Sequence, residues 1–211
     1  MRLFWLIFTQ TITHAFRKGG GAFGTLAFYL IIITLFSFAL GPDGLKAHAG
    51  AIMCVSLLLA SVTALPLLYE RDYEDGSLEQ LFLQPVAMEI VALAKIMGQW
   101  FAITGPILFL SPLIAIMANL PSDSAFASIL NLALASPTII AIGSIAAALT
   151  IGSKRGGLLQ ALVMLPLATP VLIFAATITG KGSVLFLSGL LLASVPLSCI
   201  VSAVLIRINQ D

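Results

Sequence analysis

Long apolar stretches alternate with short polar segments along the whole chain. Six stretches contain no Asp, Glu, Lys or Arg, and they cover residues 19–42, 47–69, 96–122, 124–153, 156–180 and 182–206. Each is at least 23 residues long, and a helix needs about 20 apolar residues to cross a bilayer. None of them alternates between polar and apolar residues as the strands of a membrane barrel do. The pattern therefore predicts an all-α membrane protein with six transmembrane helices.

The predicted spans fall within these stretches. They cover about residues 22–40, 50–69, 96–118, 129–151, 158–179 and 184–206. Gly41-Pro42-Asp43-Gly44 is predicted as the turn after the first span, because glycine and proline favour turns. No stretch of soluble character separates the spans. Residues 1–211 are therefore expected to form a single transmembrane domain.

Residues 2–18 precede the first span and have a different pattern. Apolar residues recur there at three- and four-residue spacing, while Arg2, Gln10, Thr13, His14 and Arg17 occupy much of the other face. Such a segment is typical of an amphipathic helix that lies in the membrane interface. We therefore expect an N-terminal interfacial helix over residues 2–18.

Composition indicates the class of protein, and the distribution of charge indicates how the chain is oriented in the membrane. The chain is 60% hydrophobic and 9% charged, whereas a soluble domain has about 25% charged residues. Its net charge of +1 indicates no nucleic-acid partner. A cytoplasmic N-terminus leaves only Lys46 and Lys181 outside, among ten basic residues. Because cytoplasmic loops are enriched in Lys and Arg, both termini are predicted to be cytoplasmic.

The cytoplasmic segment 70–95 carries most of the polar information. Five of the nine acidic residues lie between Glu70 and Glu79. Ser77, with Gln80 three residues later, is typical of a capping box and predicts a short helix from Ser77 to Pro85. Leu78, Leu81 and Phe82 would share one face of that helix. The segment is interpreted as a docking helix for a soluble partner, and a solvated loop is the alternative.

Several chemistries are disfavoured by what the sequence lacks. No ionisable side chain is predicted near mid-membrane, where proton-coupled carriers keep one. Residues 19–25 resemble a phosphate-binding loop but lack its Lys, so this chain is not expected to hydrolyse ATP. Cys54 and Cys199 are not spaced as a metal or redox motif. No catalytic residue, metal ligand or cofactor site is predicted in this chain.

Several motifs together resemble one family. Asp75-Gly76-Ser77-Leu78-Glu79-Gln80-Leu81, followed by Pro85, resembles the coupling segment of type-2 ABC exporter permeases. The similarity continues through Leu93-Ala94-Lys95-Ile96-Met97, Leu110-Ser111-Pro112-Leu113, Lys154-Arg155-Gly156-Gly157 and Leu165-Pro166-Leu167. More narrowly, the chain is similar to haem exporter B subunits, the permeases of the cytochrome c maturation system.

This resemblance implies a type-2 ABC permease architecture in the bacterial cytoplasmic (inner) membrane. It implies a separate ATPase, the A subunit, together with C and D membrane subunits and, indirectly, a haem chaperone. ATP would bind to the partner, and haem is a candidate cargo. The expected ATPase-coupling residues are Glu70, Asp72, Glu74, Asp75, Gly76, Ser77, Leu78, Glu79, Leu81 and Phe82. Lys154 and Arg155 are expected to form a cytoplasmic basic turn near lipid phosphates.

Two alternatives remain open at this stage. The chain could be a non-transporting scaffold that holds the ATPase beside a haem-handling subunit. It could also be an ABC exporter permease for another substrate, such as a lipid or a drug. The sequence alone does not separate these functions.

Overall fold

A computed structural model describes residues 2–17, 21–82, 87–153, 156–176 and 181–208. Within these ranges the chain forms helices and turns, with no strand. The helices are α1 (Arg2–Arg17), α2 (Gly21–Ala64), α3 (Leu67–Glu74), α4 (Ser77–Phe82), α5 (Met88–Met117), α6 (Ser122–Leu149), α7 (Gly156–Ala176) and α8 (Lys181–Ile208).

Five helical segments are long and apolar enough to cross a membrane. They are Gly21–Glu74, Met88–Met117, Ser122–Leu149, Gly156–Ala176 and Gly182–Ile208. The shorter apolar helix Leu3–Phe16 lies within α1, where the interfacial helix is predicted. The chain is therefore an all-α, multi-pass membrane protein.

The first long helix contains a sharp break at Gly41. Its backbone has φ 67° and ψ −178° there, a left-handed conformation that glycine adopts readily. Tyr29 and Cys54 belong to the same buried cluster, although one straight helix would separate these residues by about 37 Å. The two halves of α2 therefore fold back on each other and contain the first predicted span and residues 50–64 of the second. The break falls at Gly41, the first residue of the segment at which the first span is predicted to stop, and the helix resumes at Pro42, which needs no backbone donor at a helix start.

A second break occurs at Pro66, between α2 and α3. Proline has no N–H and disfavours a continuous helix, and Leu68 N donates to Leu65 O at 3.1 Å in a tighter turn. The second predicted span, over 50–69, is thus divided between two helices. In addition, the helix that contains the third predicted span, α5, begins at Met88, within the predicted cytoplasmic segment 70–95.

Helix α6 occupies the centre of the bundle. It contacts α2, α3, α5, α7 and α8, and 72% of its apolar stretch is buried against 17% for α8. It is rich in Ala and Ser and contains Gly143, and such small residues allow helix backbones to approach closely in a membrane. A Cβ at Gly143 would lie 2.3 Å from Leu65 Cδ1. Helix α6 therefore passes directly against the break at Pro66.

One end of the bundle gathers α1, α3, α4 and the ends of α5, α6 and α8. A buried cluster there includes Ile7, Tyr69, Leu78, Val91 and Ile206. These elements are the ones whose basic and acidic residues are predicted to face the cytoplasm. We call this region the junction end.

Candidate functional site at the junction end

The turn between α3 and α4 depends on Gly76. Its φ is +68°, and its N–H donates to Tyr73 O at 3.3 Å. Helix α4 then begins at Ser77, as the sequence predicts. The Ser77 hydroxyl, however, donates to Asp72 O at 3.3 Å. Ser77 is thus the first residue of α4 and its hydroxyl bonds back to α3, while the side chain of Gln80, the other half of the predicted capping box, lies outside the described residues.

The apolar side of α4 faces the rest of this chain. Leu78 is 1% exposed and packs with Leu68 and Tyr69, and Leu81 packs against the same cluster. A docking role for this segment would therefore not use Leu78 as an exposed anchor, because this chain already covers its side chain. An apolar stripe on a helix has the same sequence pattern whether it packs within the chain or against another protein. The sequence therefore does not predict which surface covers Leu78. The side chains of Glu79 and Phe82 lie outside the described residues, as do Lys154 and Arg155.

The water-facing surface of this segment comes from the end of α3 and the turn after it. Tyr73 is 44% exposed, and Glu74 and Asp75 are exposed as well. Glu70 is half-buried. The exposed surface is thus short, acidic and carries one aromatic ring. A protein with a basic surface would complement it in charge.

Lys95 holds α3 against α5. Its side chain is buried, although the sequence places it among the solvated basic residues. The ammonium forms an ion pair with Asp72 and donates to Leu68 O at 3.2 Å. It also lies 5.0 Å from the centroid of the Tyr69 ring, within range of a cation–π interaction. The sequence gives one indication that Lys95 has a particular role, because it is the single basic residue between Arg71 and Lys154.

Gln99 reinforces the same contact one helical turn further along α5. Residues four apart share a helix face, so Lys95 and Gln99 both point toward the break at Pro66. Gln99 Nε2 donates to Ala64 O at 3.4 Å. That carbonyl loses its usual helical partner because Leu68 N donates to Leu65 O instead. Two side chains of α5 therefore satisfy the backbone on both sides of the break.

A chain of hydroxyl groups joins α3 to two further membrane helices. The Tyr69 hydroxyl bonds to Ser144 Oγ at 2.8 Å, and Ser144 Oγ bonds to Ser202 Oγ at 3.1 Å. All three side chains are fully buried, so each bond forms in a low-dielectric setting where an unpaired hydroxyl would be costly. Helix α3 is consequently connected to α5, α6 and α8 by polar contacts.

The polar groups at the junction end serve as connections between helices. Within the described residues, no group of three or more His, Cys, Asp or Glu side chains is placed to hold a metal ion. The polar groups instead link one short surface helix to three membrane helices. Sequence reasoning did not find Lys95, Gln99, Tyr69, Ser144 or Ser202, because their roles depend on contacts between distant segments.

Comparison with known proteins identifies the family. The family described as CcmB protein matches residues 2–209. Heme exporter protein B of Rhodobacter capsulatus is 36% identical over 213 residues, covering 96% of this chain and 98% of the relative. The protein of that name from Haemophilus influenzae is 34% identical over 99% of both chains. That from Escherichia coli K12 is 38% identical over 98% of this chain and 99% of the relative. A family match over almost the whole length, in an all-α chain with this span pattern, means that the protein belongs to the CcmB protein family.

Proposed function

We propose that this chain is the membrane permease subunit of an ABC transporter complex for cytochrome c maturation. Its similarity to proteins named Heme exporter protein B extends over nearly the full length of both chains. The chain lacks a complete phosphate-binding loop, so a separate ATPase subunit supplies ATP hydrolysis. The complex lies in the bacterial inner membrane, with the junction end in the cytoplasm. C and D membrane subunits complete it.

The observation that carries this proposal is the attachment of α3 to the membrane helices α5, α6 and α8. Its exposed end presents Tyr73 and Glu74, while its inner side is joined to α5 through Lys95 and to α6 and α8 through Tyr69. A partner that displaces the exposed end during its ATP cycle would move the inner contacts as well. The junction end thereby couples hydrolysis in the partner to a shift of the membrane helices.

The output of that shift is haem export or release of a haem-loaded chaperone on the periplasmic side. Haem is the cargo of the complex rather than a resident cofactor of this chain. Both outputs require the ATPase to engage the exposed end of α3, so contact with the ATPase can be tested separately from the cargo.

The test reverses charge on the exposed surface while leaving the buried contacts intact. Glu74→Lys should reduce co-purification of the ATPase and the yield of holocytochrome c. The substitution removes one acidic charge and adds a basic one, which a basic partner surface would repel. Asp123→Lys is the matched control, since Asp123 is also exposed but begins α6 at the opposite end of that helix from the junction end. Both variants should reach the membrane in normal amounts. If Glu74→Lys retains both the ATPase and cytochrome maturation, this surface does not couple the two proteins.

Sealed vesicles separate transport from a scaffold role. A transporting permease gives ATP-dependent appearance of haem or haem-loaded chaperone on the periplasmic side, and the Glu74→Lys variant reduces it. A scaffold gives a normal assembled complex with no ATP-dependent release. An ABC exporter for another substrate gives ATP hydrolysis that is stimulated by that substrate and not by haem.

A further inference from the structure

A cavity of about 310 Å³ lies between α1, α3, α4 and the start of α5. Two buried side chains of α5, Lys95 and Gln99, line its inner part. Two exposed residues of α1, Leu6 and Gln10, line its outer edge. The cavity therefore leads from the protein surface to a polar interior.

Four charged side chains line this cavity, and only two of them neutralise each other. Asp72 and Lys95 form an ion pair. Arg71 and Asp75 also line the cavity, and neither has an ion pair with any residue that the structure describes. Arg71 is half-buried and Asp75 is exposed. Among the described side chains, one positive and one negative charge thus remain without an ion pair, one helical turn apart.

The outer edge of the cavity belongs to the membrane interface. Leu3 and Leu6 line it, and Leu6 and the neighbouring Trp5 are each 61% exposed. In an amphipathic helix beside membrane spans, such residues lie at the boundary between headgroups and acyl chains. A ligand in this cavity would have its polar part among charged side chains and its apolar part along α1.

We propose that the cavity binds the headgroup of a zwitterionic phospholipid that carries a primary ammonium, as in phosphatidylethanolamine. The Arg71 guanidinium binds the phosphate, because its planar donors match phosphate oxygens. The ammonium donates a hydrogen bond to the Asp75 carboxylate, which a trimethylammonium cannot do because it has no N–H. The acyl chains follow Leu3 and Leu6 out of the cavity.

The free charges and the apolar edge exclude the nearest alternatives by their chemistry. A purely anionic headgroup would satisfy Arg71 but place its charge beside Asp75, where like charges repel. A soluble phosphoethanolamine would satisfy both charges but leave Leu6 exposed to water. The apolar edge of the cavity therefore favours a lipid over the soluble group.

The experiment measures which lipids the full-length chain retains. The protein is purified with its associated subunits, placed in nanodiscs with equal amounts of phosphatidylethanolamine, phosphatidylcholine and phosphatidylglycerol, and transferred to detergent for native mass spectrometry. Phosphatidylethanolamine should be retained in preference to both other lipids. Arg71→Gln and Asp75→Asn should each lower this retention about tenfold, the effect of losing one charge-assisted hydrogen bond.

Matched controls distinguish the cavity from general charge effects and from misfolding. Arg207→Gln and Glu89→Gln remove an exposed ion pair at the same end that does not line the cavity, and retention should not change. Added phosphatidylethanolamine should raise the melting temperature of the wild type but not of Arg71→Gln. Arg71→Lys keeps the charge and should fall between wild type and Arg71→Gln.

Three results would overturn the proposal. The first is equal retention of the three lipids by the wild type. The second is unchanged retention in Arg71→Gln or Asp75→Asn variants that fold normally. The third is displacement of the bound lipid by soluble glycerophosphoethanolamine at the same concentration as phosphatidylethanolamine, which would make the site specific for the soluble group. None of these measurements depends on ATPase co-purification, so the lipid site and the coupling function fail independently.

Discussion

At the scale of single residues, Lys95 explains how a short surface helix can be held firmly to a membrane helix. Burying an ammonium is costly unless it is paired and hydrogen-bonded. Here the Asp72 carboxylate, the Leu68 carbonyl and the Tyr69 ring surround it. These partners all belong to α3, so the burial of Lys95 is tolerated only while α3 stays in place.

The ion pair predicts an asymmetric pair of mutational effects. Asp72→Asn should lower the free energy of unfolding by on the order of 3 kcal/mol, because it leaves a buried charge without a partner. Lys95→Met should cost less, since a similar apolar side chain fills the space and Asp72 is 31% exposed to water. Adding Lys95→Met to Asp72→Asn should restore part of the loss. Unfolding in mixed micelles measures all three variants.

The control for this cycle is the exposed pair of Glu89 and Arg207, whose N and O atoms are 3.9 Å apart. Exposed pairs contribute about 0–1 kcal/mol, so Glu89→Gln should be almost neutral. Strictly additive effects of Asp72→Asn and Lys95→Met would contradict the role assigned to the ion pair.

Gly76 gives a second prediction at this scale. A Cβ there would meet no atom within 4 Å, yet φ is +68°. Gly76→Ala should therefore destabilise the α3–α4 turn by about 1–2 kcal/mol through backbone conformation alone. Gly105→Ala is the control, because Gly105 has equally open space within helix α5 and no positive φ. Equal unfolding free energies for the two variants would show that the turn does not need glycine.

At the scale of elements, the helices themselves could be predicted better than the contacts between them. The apolar stretches predicted the spans, and Ser77 predicted the start of α4, because both depend on local patterns. The inward direction of Leu78 could not be predicted, since an apolar stripe has the same pattern whichever surface covers it. The sequence does not predict the burial of Lys95, because a charge beside an apolar stretch marks the boundary of a predicted span. A helix can bury a charge near its end when another segment supplies the partners.

The crossing of α1 over α5 shows the same limit and gives a prediction. A Cβ at Gly98 would lie 2.8 Å from Thr11 Cβ and 3.2 Å from Phe8 O. Gly98→Leu should therefore push α1 away from α5 and speed hydrogen exchange of the amides in residues 2–17. Gly105→Leu, on the same helix but without neighbours within 4 Å, should leave that exchange unchanged. Slow exchange in Gly98→Leu would mean that α1 is held elsewhere.

At the scale of the whole molecule, the distribution of charge matches the division of the bundle into two ends. Arg71 and Lys95 lie at the junction end, and the Arg207–Glu89 pair ties the end of α8 to the start of α5 there. Asp43 and Lys46 lie just after the Gly41 break, at the start of the second half of α2, whose far end adjoins the Pro66 break. The long apolar helices α7 and α8 are largely exposed in the single chain. Lipid or other membrane subunits therefore cover much of their surface.

The orientation of this arrangement gives the last prediction. Because basic residues concentrate at the junction end, that end should face the cytoplasm. Single cysteines replacing Asp43 or Asp123, in a background without Cys54 and Cys199, should react in intact cells with a thiol reagent that cannot cross the membrane. A cysteine replacing Glu74 should react only after the cells are permeabilised. All three positions are exposed in the structure, so a difference in labelling reports the side of the membrane rather than burial. Labelling of the Glu74→Cys protein in intact cells would place α3 and α4 outside, where no ATPase could reach them.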